Sequence, residues 1–128
     1  MRMRFGNKAY ALAEDERVAE ILAKQDTMDA SDWLKRYPKG PFSSRDVRNP
    51  DEPYGPRLAP IVARLTKAGA KKLLVHHGDG IFFVGLIVLL PSSAKARDRI
   101  FELERELSSI CNQAVQKDYG QKYLYYAE

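Results

Sequence analysis

The sequence predicts an α+β protein with an antiparallel sheet of three to four strands and helices packed on it. Residues Ile81–Leu90 run for ten positions without a polar side chain. A strand that is apolar on both faces must be covered on both, so this segment is predicted to be central. Gly78–Gly80 supplies the residues of a tight hairpin turn just before it. Apolar residues at three- and four-residue spacing on either side of this predicted hairpin indicate helices.

The C-terminal part of the chain, residues 57–128, is predicted to form an α-β-β-α-β unit. Pro60 suits the first turn of its first helix, and Gly69 suits the position just after the last turn. Pro91 ends the central strand, and the two serines that follow it offer a helix N-cap. The remaining elements are a strand at Lys71–His77, a long helix after Ser93 and a tyrosine-rich strand at Lys122–Ala127.

The N-terminal part, residues 1–37, is predicted to be mainly helical. Three acids at Glu14–Glu16 suit a first helical turn, and Ser31 suits the N-cap of a second short helix. Residues 38–56 contain five prolines, which indicates a loop without regular structure. All three segments are predicted to belong to one domain of 128 residues.

The element order also fits a known arrangement. Met3–Phe5 alternates with arginines in a weak strand pattern, and a strand there would give the order β-α-β-β-α-β. This is the ferredoxin-like order, here with an N-terminal helical insertion. Two helices on one face leave the second face of the sheet to be covered by the N-terminal helices or by another subunit.

Composition indicates a soluble cytoplasmic protein. The chain has one cysteine, Cys111, so it has no internal disulfide, which is typical of a reducing compartment. Its longest apolar run is about half of the roughly twenty residues that a membrane-spanning helix needs, and no membrane contact is expected. Net charge is +4, and the excess is local: residues 57–99 carry eight basic side chains against two acidic ones.

The histidines His76 and His77, with Asp79 in the turn after them, are the first candidates for chemistry. Imidazoles near a carboxylate can transfer protons or bind a metal. Neighbouring residues of a strand point to opposite faces, however, so the two histidines cannot converge on one ion. We therefore predict no catalytic set, no metal site and no cofactor.

The start of the long C-terminal helix is a candidate anion site. Basic residues at the positive end of a helix dipole are electrostatically unfavourable unless they serve a purpose. Free N–H groups, hydroxyls and cations together suit a phosphate or a carboxylate. The residues concerned are Ser92, Ser93, Lys95, Arg97 and Arg99.

The expected function is a small non-enzymatic binding or regulatory module that self-associates through its sheet as a homodimer, or binds another protein. An alternative is a protein that binds nucleic acid or a phosphate ligand through the basic surface of residues 64–99. Tyr123, Tyr125 and Tyr126 would then stack on bases, although tyrosines beside a core more often pack into it. A second alternative is an enzyme that uses the His77 and Asp79 turn.

Overall fold

The computed structural model describes residues 8–24, 26–42, 45–46 and 56–127. Within these ranges lie four helices, four strands of three residues or more and one strand of two residues. In chain order they are α1 (Lys8–Ala23), β1 (Thr27–Asp29), α2 (Ala30–Arg36), β2 (Arg45–Asp46), α3 (Leu58–Ala68), β3 (Lys72–Gly78), β4 (Phe82–Leu89), α4 (Ala94–Ile110) and β5 (Tyr123–Ala127).

Strand β4 lies at the centre of the sheet. It pairs with β3 along one edge and with β5 and the short β2 along the other, and every pairing is antiparallel. β1 pairs with the far edge of β3. Leu86, Ile87 and Val88 in the middle of β4 have no exposed surface. The predicted α+β class and the central, doubly buried strand are confirmed.

The ferredoxin-like order is not confirmed. β5 bonds directly to β4 over Gly85–Leu89, whereas that order would place its first strand between the two. The residues proposed for the first strand, Met3–Phe5, lie outside the described part of the chain.

The two faces of the sheet are covered by different helices. On one face, α3 and α4 pack against β4 residues such as Leu86 and Val88, and Trp33 of α2 belongs to the same core. On the other face, Val18 of α1 packs with Ile87 and Tyr125. Helix α1 of the same chain thus covers the second face of the sheet, as the apolar sequence of β4 requires.

A β-bulge in β4 changes which face of the sheet its first side chains point to. The pairing moves from His76 opposite Gly85 to His77 opposite Phe83, which leaves Val84 as an extra residue. Strict alternation would place Phe83 and Leu86 on opposite faces of the sheet. The extra residue reverses the alternation, so Phe83 lies in the same core as Leu86.

Three element boundaries differ from the sequence prediction. α1 begins at Lys8, so Glu14–Glu16 lies in its middle rather than in its first turn. The N-cap of α2 is Asp29, whose carboxylate accepts hydrogen bonds from both the amide and the hydroxyl of Ser31. The predicted loop at 38–56 also takes part in pairing, through β2 and through a bridge from Pro41 to Arg57. The pairing within 38–56 depends on partners that are distant in the sequence, so no local pattern predicts it.

Gly85 has to be glycine, because the ring of Tyr125 crosses it. A Cβ at Gly85 would lie 2.8 Å from the hydroxyl oxygen of Tyr125 and 2.9 Å from the carbonyl oxygen of Tyr126. We expect Gly85→Ala to lower the free energy of unfolding by about 1–3 kcal/mol, the usual range for overpacking a core. Urea denaturation followed by circular dichroism measures the change.

Gly78→Ala is the matched control in the neighbouring strand. A Cβ at Gly78 would meet Phe82 at an ordinary 3.5 Å, so we expect a change within about 1 kcal/mol. Equal losses in the two variants would contradict the steric explanation.

Candidate functional site

The turn between β3 and β4 holds the side chain of His77 in internal contacts. Its ring stacks on the buried Trp33, with 5.8 Å between the ring centroids and 14° between the planes. Its Nδ1 accepts a hydrogen bond from the amide of Gly80 at 3.2 Å. Asp79 is exposed at the tip of the turn with a φ of 53°. His77 therefore serves to shape its own turn.

His76 belongs to the opposite face, under α1. Its Nδ1 lies 2.6 Å from the hydroxyl oxygen of Tyr125, and the guanidinium of Arg17 lies 5.4 Å from the centre of the same tyrosine ring. Burial lowers the pKa of His76, which favours the neutral imidazole. The two histidines are not brought together, and the described residues contain no group of three or more His, Cys, Asp or Glu that could hold a metal ion.

At the start of α4, some of the predicted anion-binding residues make internal contacts and the others are exposed. Ser93 is the N-cap and accepts a hydrogen bond from the amide of Ala96 at 3.4 Å. Arg97 has a side chain only 14% exposed and binds both carboxylate oxygens of Asp118, at 2.6 and 3.0 Å. It also donates to the carbonyl oxygen of Gln121 at 3.1 Å. The remaining members of the predicted set are exposed: Ser92, Lys95 and Arg99.

The fold brings further cations to this place. Gly69, at the end of α3, lies so close to α4 that a Cβ on it would be 2.9 Å from that of Ala96. The amide of Lys71 donates to the carbonyl oxygen of Leu89 at 2.9 Å, which places the start of β3 beside the end of β4. We call the resulting surface the basic end; its exposed cations are Lys67, Lys71, Lys95 and Arg99.

The tyrosines of β5 are packing residues. Tyr125 and Tyr126 are 4% and 1% exposed, and Tyr123 is half-buried. Both faces of β5 are covered: α1 lies over Tyr123 and Tyr125, and α4 lies over Tyr126.

A buried carboxylate, which the sequence did not indicate, lies under the edge of the sheet. Glu104 of α4 is 0% exposed. Its oxygens accept hydrogen bonds from the hydroxyl of Ser108 and from the amide of Gln116, the latter at 2.9 Å. Burial raises the pKa of Glu104, and burial together with the nearby carboxylate raises the pKa of Tyr126 well above its ordinary value. The signal that could have found Glu104 is its position on the apolar stripe of α4, four residues after Ile100 and three before Leu107.

A small pocket opens beside this carboxylate. Its volume of about 10 Å³ is the space of roughly one water molecule, so it cannot hold a substrate. The amide oxygen of Gln116 is buried there with no hydrogen-bond partner among the described residues, and the hydroxyl of Tyr126 lies beside the carboxylate of Glu104. The acidic groups that face the cluster from α1 are Tyr10 and Glu14, whose pKa values burial also raises. The pocket is lined by Glu14, Glu104, Gln113, Gln116, Leu124, Tyr125 and Tyr126.

No protein-family model, curated protein or solved structure matches this chain. In the ranges that the structure describes, every helix is too short or too polar to cross a membrane. A function for the chain must therefore be inferred from its own surfaces.

Glu104 gives the stability of the protein a defined pH dependence. A carboxyl group whose pKa is raised in the folded state binds protons more readily there than in the unfolded chain. Its stabilising contribution is complete below the unfolded pKa and is lost as the pH rises through the folded pKa. We expect the difference in unfolding free energy between Glu104→Gln and the unchanged protein to shift in favour of the variant from about pH 4 to about pH 8. Urea titrations across this range measure it.

Glu106→Gln is the control on the same helix. The ion pair with Arg64, at 2.6 Å, lowers the pKa of the exposed Glu106. The smaller stabilising contribution of Glu106 is present above the unfolded pKa and is lost as the pH falls. The difference in unfolding free energy between Glu106→Gln and the unchanged protein therefore shifts in the direction opposite to that for Glu104→Gln. A flat or reversed profile for Glu104→Gln would contradict the assignment.

Arg97 makes internal contacts that should stabilise the fold. We expect Arg97→Ala to lower the free energy of unfolding by about 1–3 kcal/mol, because it removes the ion-pair partner of Asp118 and the donor to the carbonyl oxygen of Gln121. Arg99→Ala, two residues along the helix and exposed, should change it by at most about 0.5 kcal/mol. Thermal and urea denaturation distinguish the two, and equal effects would contradict a structural role for Arg97.

Proposed function

We propose that this chain is a binding module whose basic end contacts the phosphates of a nucleic acid. The observation that carries the proposal is the meeting of α3, β3 and α4 at Gly69 and Ala96. It brings together four exposed cations, from α3, from the residue before β3 and from α4. Phosphate contacts of this kind provide most of the affinity of sequence-independent nucleic-acid binding.

The charge balance of this surface favours an anionic partner. Of the acids nearest to it, Asp98 and Glu102 lie on α4 itself, and Asp118 is neutralised by Arg97. The four cations outnumber the two unpaired acids and leave a positive excess. Three of them are lysines, which act as mobile point charges rather than as bidentate readers of base edges. This composition suits contacts to the backbone of the nucleic acid rather than recognition of a sequence.

Neutralising two cations of the basic end should weaken binding and reduce its dependence on salt. We expect Lys71→Gln combined with Lys95→Gln to lower the affinity for a short DNA single strand several-fold at low salt. The slope of log affinity against log salt should fall by about 1.4, since each lost phosphate contact accounts for about 0.7. Surface plasmon resonance at a series of salt concentrations measures both quantities.

The matched control removes the same charge from the other end of the molecule. Arg36 and Lys39 are exposed near the β3–β4 turn, where the hydroxyl of Tyr37 donates to the carbonyl oxygen of Gly80. Arg36→Gln combined with Lys39→Gln should leave the affinity and the slope close to those of the unchanged protein. An affinity that ignores salt, or equal losses in the two double variants, would exclude the basic end as the binding surface.

Self-association through the sheet, or binding of another protein, stays a prediction. Its motivation was the uncovered second face, and α1 now accounts for that cover within one chain. An enzyme built on His77 and Asp79 also stays a prediction. The stacking of His77 on Trp33 and its bond from Gly80 support a structural role for that ring instead.

A further inference from the structure

The chain between α4 and β5 passes over the buried carboxyl group of Glu104. We call residues 112–117 the connecting segment; Gln113 and Gln116 in it line the same pocket as Glu104. The amide of Gln116 donates to one carboxyl oxygen of Glu104 at 2.9 Å, and the hydroxyl of Ser108 donates to the other. The carboxyl group therefore lies between α4 and the connecting segment and binds to both.

The connecting segment also covers the outer edge of β5, the side of the strand away from β4. Nε2 of Gln113 donates to the carbonyl oxygen of Tyr125 at 2.9 Å, and its Oε1 accepts from the amide of Ala127 at 2.7 Å. The segment lies outside the helices and strands. Local opening in a protein favours such connections over elements held by sheet pairing or by a packed core.

The carboxyl group of Glu104 is buried without a cation to compensate its charge. It is 0% exposed, and no lysine or arginine forms an ion pair with it among the described residues. A buried carboxylate in this situation is unfavourable, and the protonated form is favoured instead. Burial raises the pKa of Glu104 accordingly.

The hydrogen-bonding groups of the pocket also suit a protonated carboxyl group. The amide oxygen of Gln116 is a buried acceptor without a donor among the described residues, and Gln116 lines the pocket together with Glu104. A protonated carboxyl group supplies one donor, whereas a carboxylate only accepts hydrogen bonds.

The other titratable groups around the pocket add no positive charge. Arg17 of α1 acts on Tyr10 and Glu14, but its guanidinium lies over the ring of Tyr125, 5.4 Å from the ring centre. The groups that face the cluster of Glu104 from α1, from β5 and from the end of α4 are neutral or acidic: Tyr10, Glu14, Tyr126 and Cys111.

We propose that Glu104 is a pH-sensitive switch that controls the cover on the outer edge of β5. While the carboxyl group carries its proton, the connecting segment lies closed over it and Gln113 occupies the edge. When the proton is lost, the negative charge is stabilised by water, which reaches it as the connecting segment moves away. The hydrogen bonds of Gln113 to Tyr125 and Ala127 are then released, and this part of the edge opens to solvent.

Native-state hydrogen exchange followed by NMR tests the switch in the unchanged protein. Each exchange rate, corrected for the intrinsic pH dependence of amide exchange, gives an equilibrium constant for opening. For the amides of Gln116 and Ala127 this constant should rise up to tenfold per pH unit from about pH 5, and level off above the folded pKa of Glu104. The amide of Tyr123 is an internal control on the same strand edge, because Asp15 of α1 accepts its hydrogen bond at 3.1 Å. Its opening constant should not change with pH.

Two matched variants identify the group that loses the proton. Glu104→Gln keeps the size of the side chain but cannot ionise, so the opening constants at Gln116 and Ala127 should become independent of pH. Glu14→Gln removes the other carboxyl group that lines the pocket, and it should keep the pH dependence of the unchanged protein.

The comparison of two amides on one edge decides the outcome even when a variant does not fold. A pH-independent opening constant at Ala127 in the unchanged protein overturns the proposal. An equal rise at Tyr123 overturns it too, because the whole chain rather than the connecting segment would then be opening. A rise that persists in Glu104→Gln, or that disappears in Glu14→Gln, shows that Glu104 is not the switch.

Discussion

Burial of β4 on both faces is the constraint on which the rest of the structure depends. Leu86 faces the core under α3 and α4, while Ile87 faces the core under α1. Since neither side chain tolerates water, helices have to lie on both sides of the sheet, and α1 has to cross to the second face. The strand also needs partners along both of its edges, because a buried backbone cannot leave its amides and carbonyls unpaired.

β5 is the place where these requirements meet. It completes the outer side of β4, and its alternate side chains enter the two cores, with Tyr126 on one face and Tyr125 on the other. The outward backbone groups of an edge strand buried in this way need hydrogen-bond partners from other parts of the chain. Asp15 and Gln113 provide them, and Glu104 positions the segment from which Gln113 extends. Asp15, Gln113 and Glu104 thus place polar groups beside the outer edge of β5.

The features that the sequence predicted correctly are those with a local physical cause. The apolar run at Ile81–Leu90 defines a central strand, Gly69 ends α3 with a φ of 109°, and Ser93 caps α4. The bulge at Val84 could not be predicted, because it depends on the register of β3 against β4. The hydrogen bonds of Gln113 to Tyr125 and Ala127 could not be predicted either, since both partners lie in β5, more than ten residues further along the chain.

The same separation of local and distant causes applies to the candidate sites. The basic residues of α4 were visible in the sequence, but the assignment of Arg97 to Asp118 was not, because it depends on how the segment before β5 folds back. The ion pair with Asp118 neutralises Arg97, and the contact of α3 with α4 brings other cations beside the start of α4. The surface available to a ligand therefore differs from the surface that charge counting indicates.

Trp33 gives the protein a built-in optical reporter. It is the single tryptophan of the chain, it is fully buried, and its ring stacks on the imidazole of His77. Indole emission shifts to the red when water reaches the ring. The intrinsic fluorescence of this chain will thus report the opening of the β3–β4 hairpin and α2, and remain silent about events at the opposite end of the sheet.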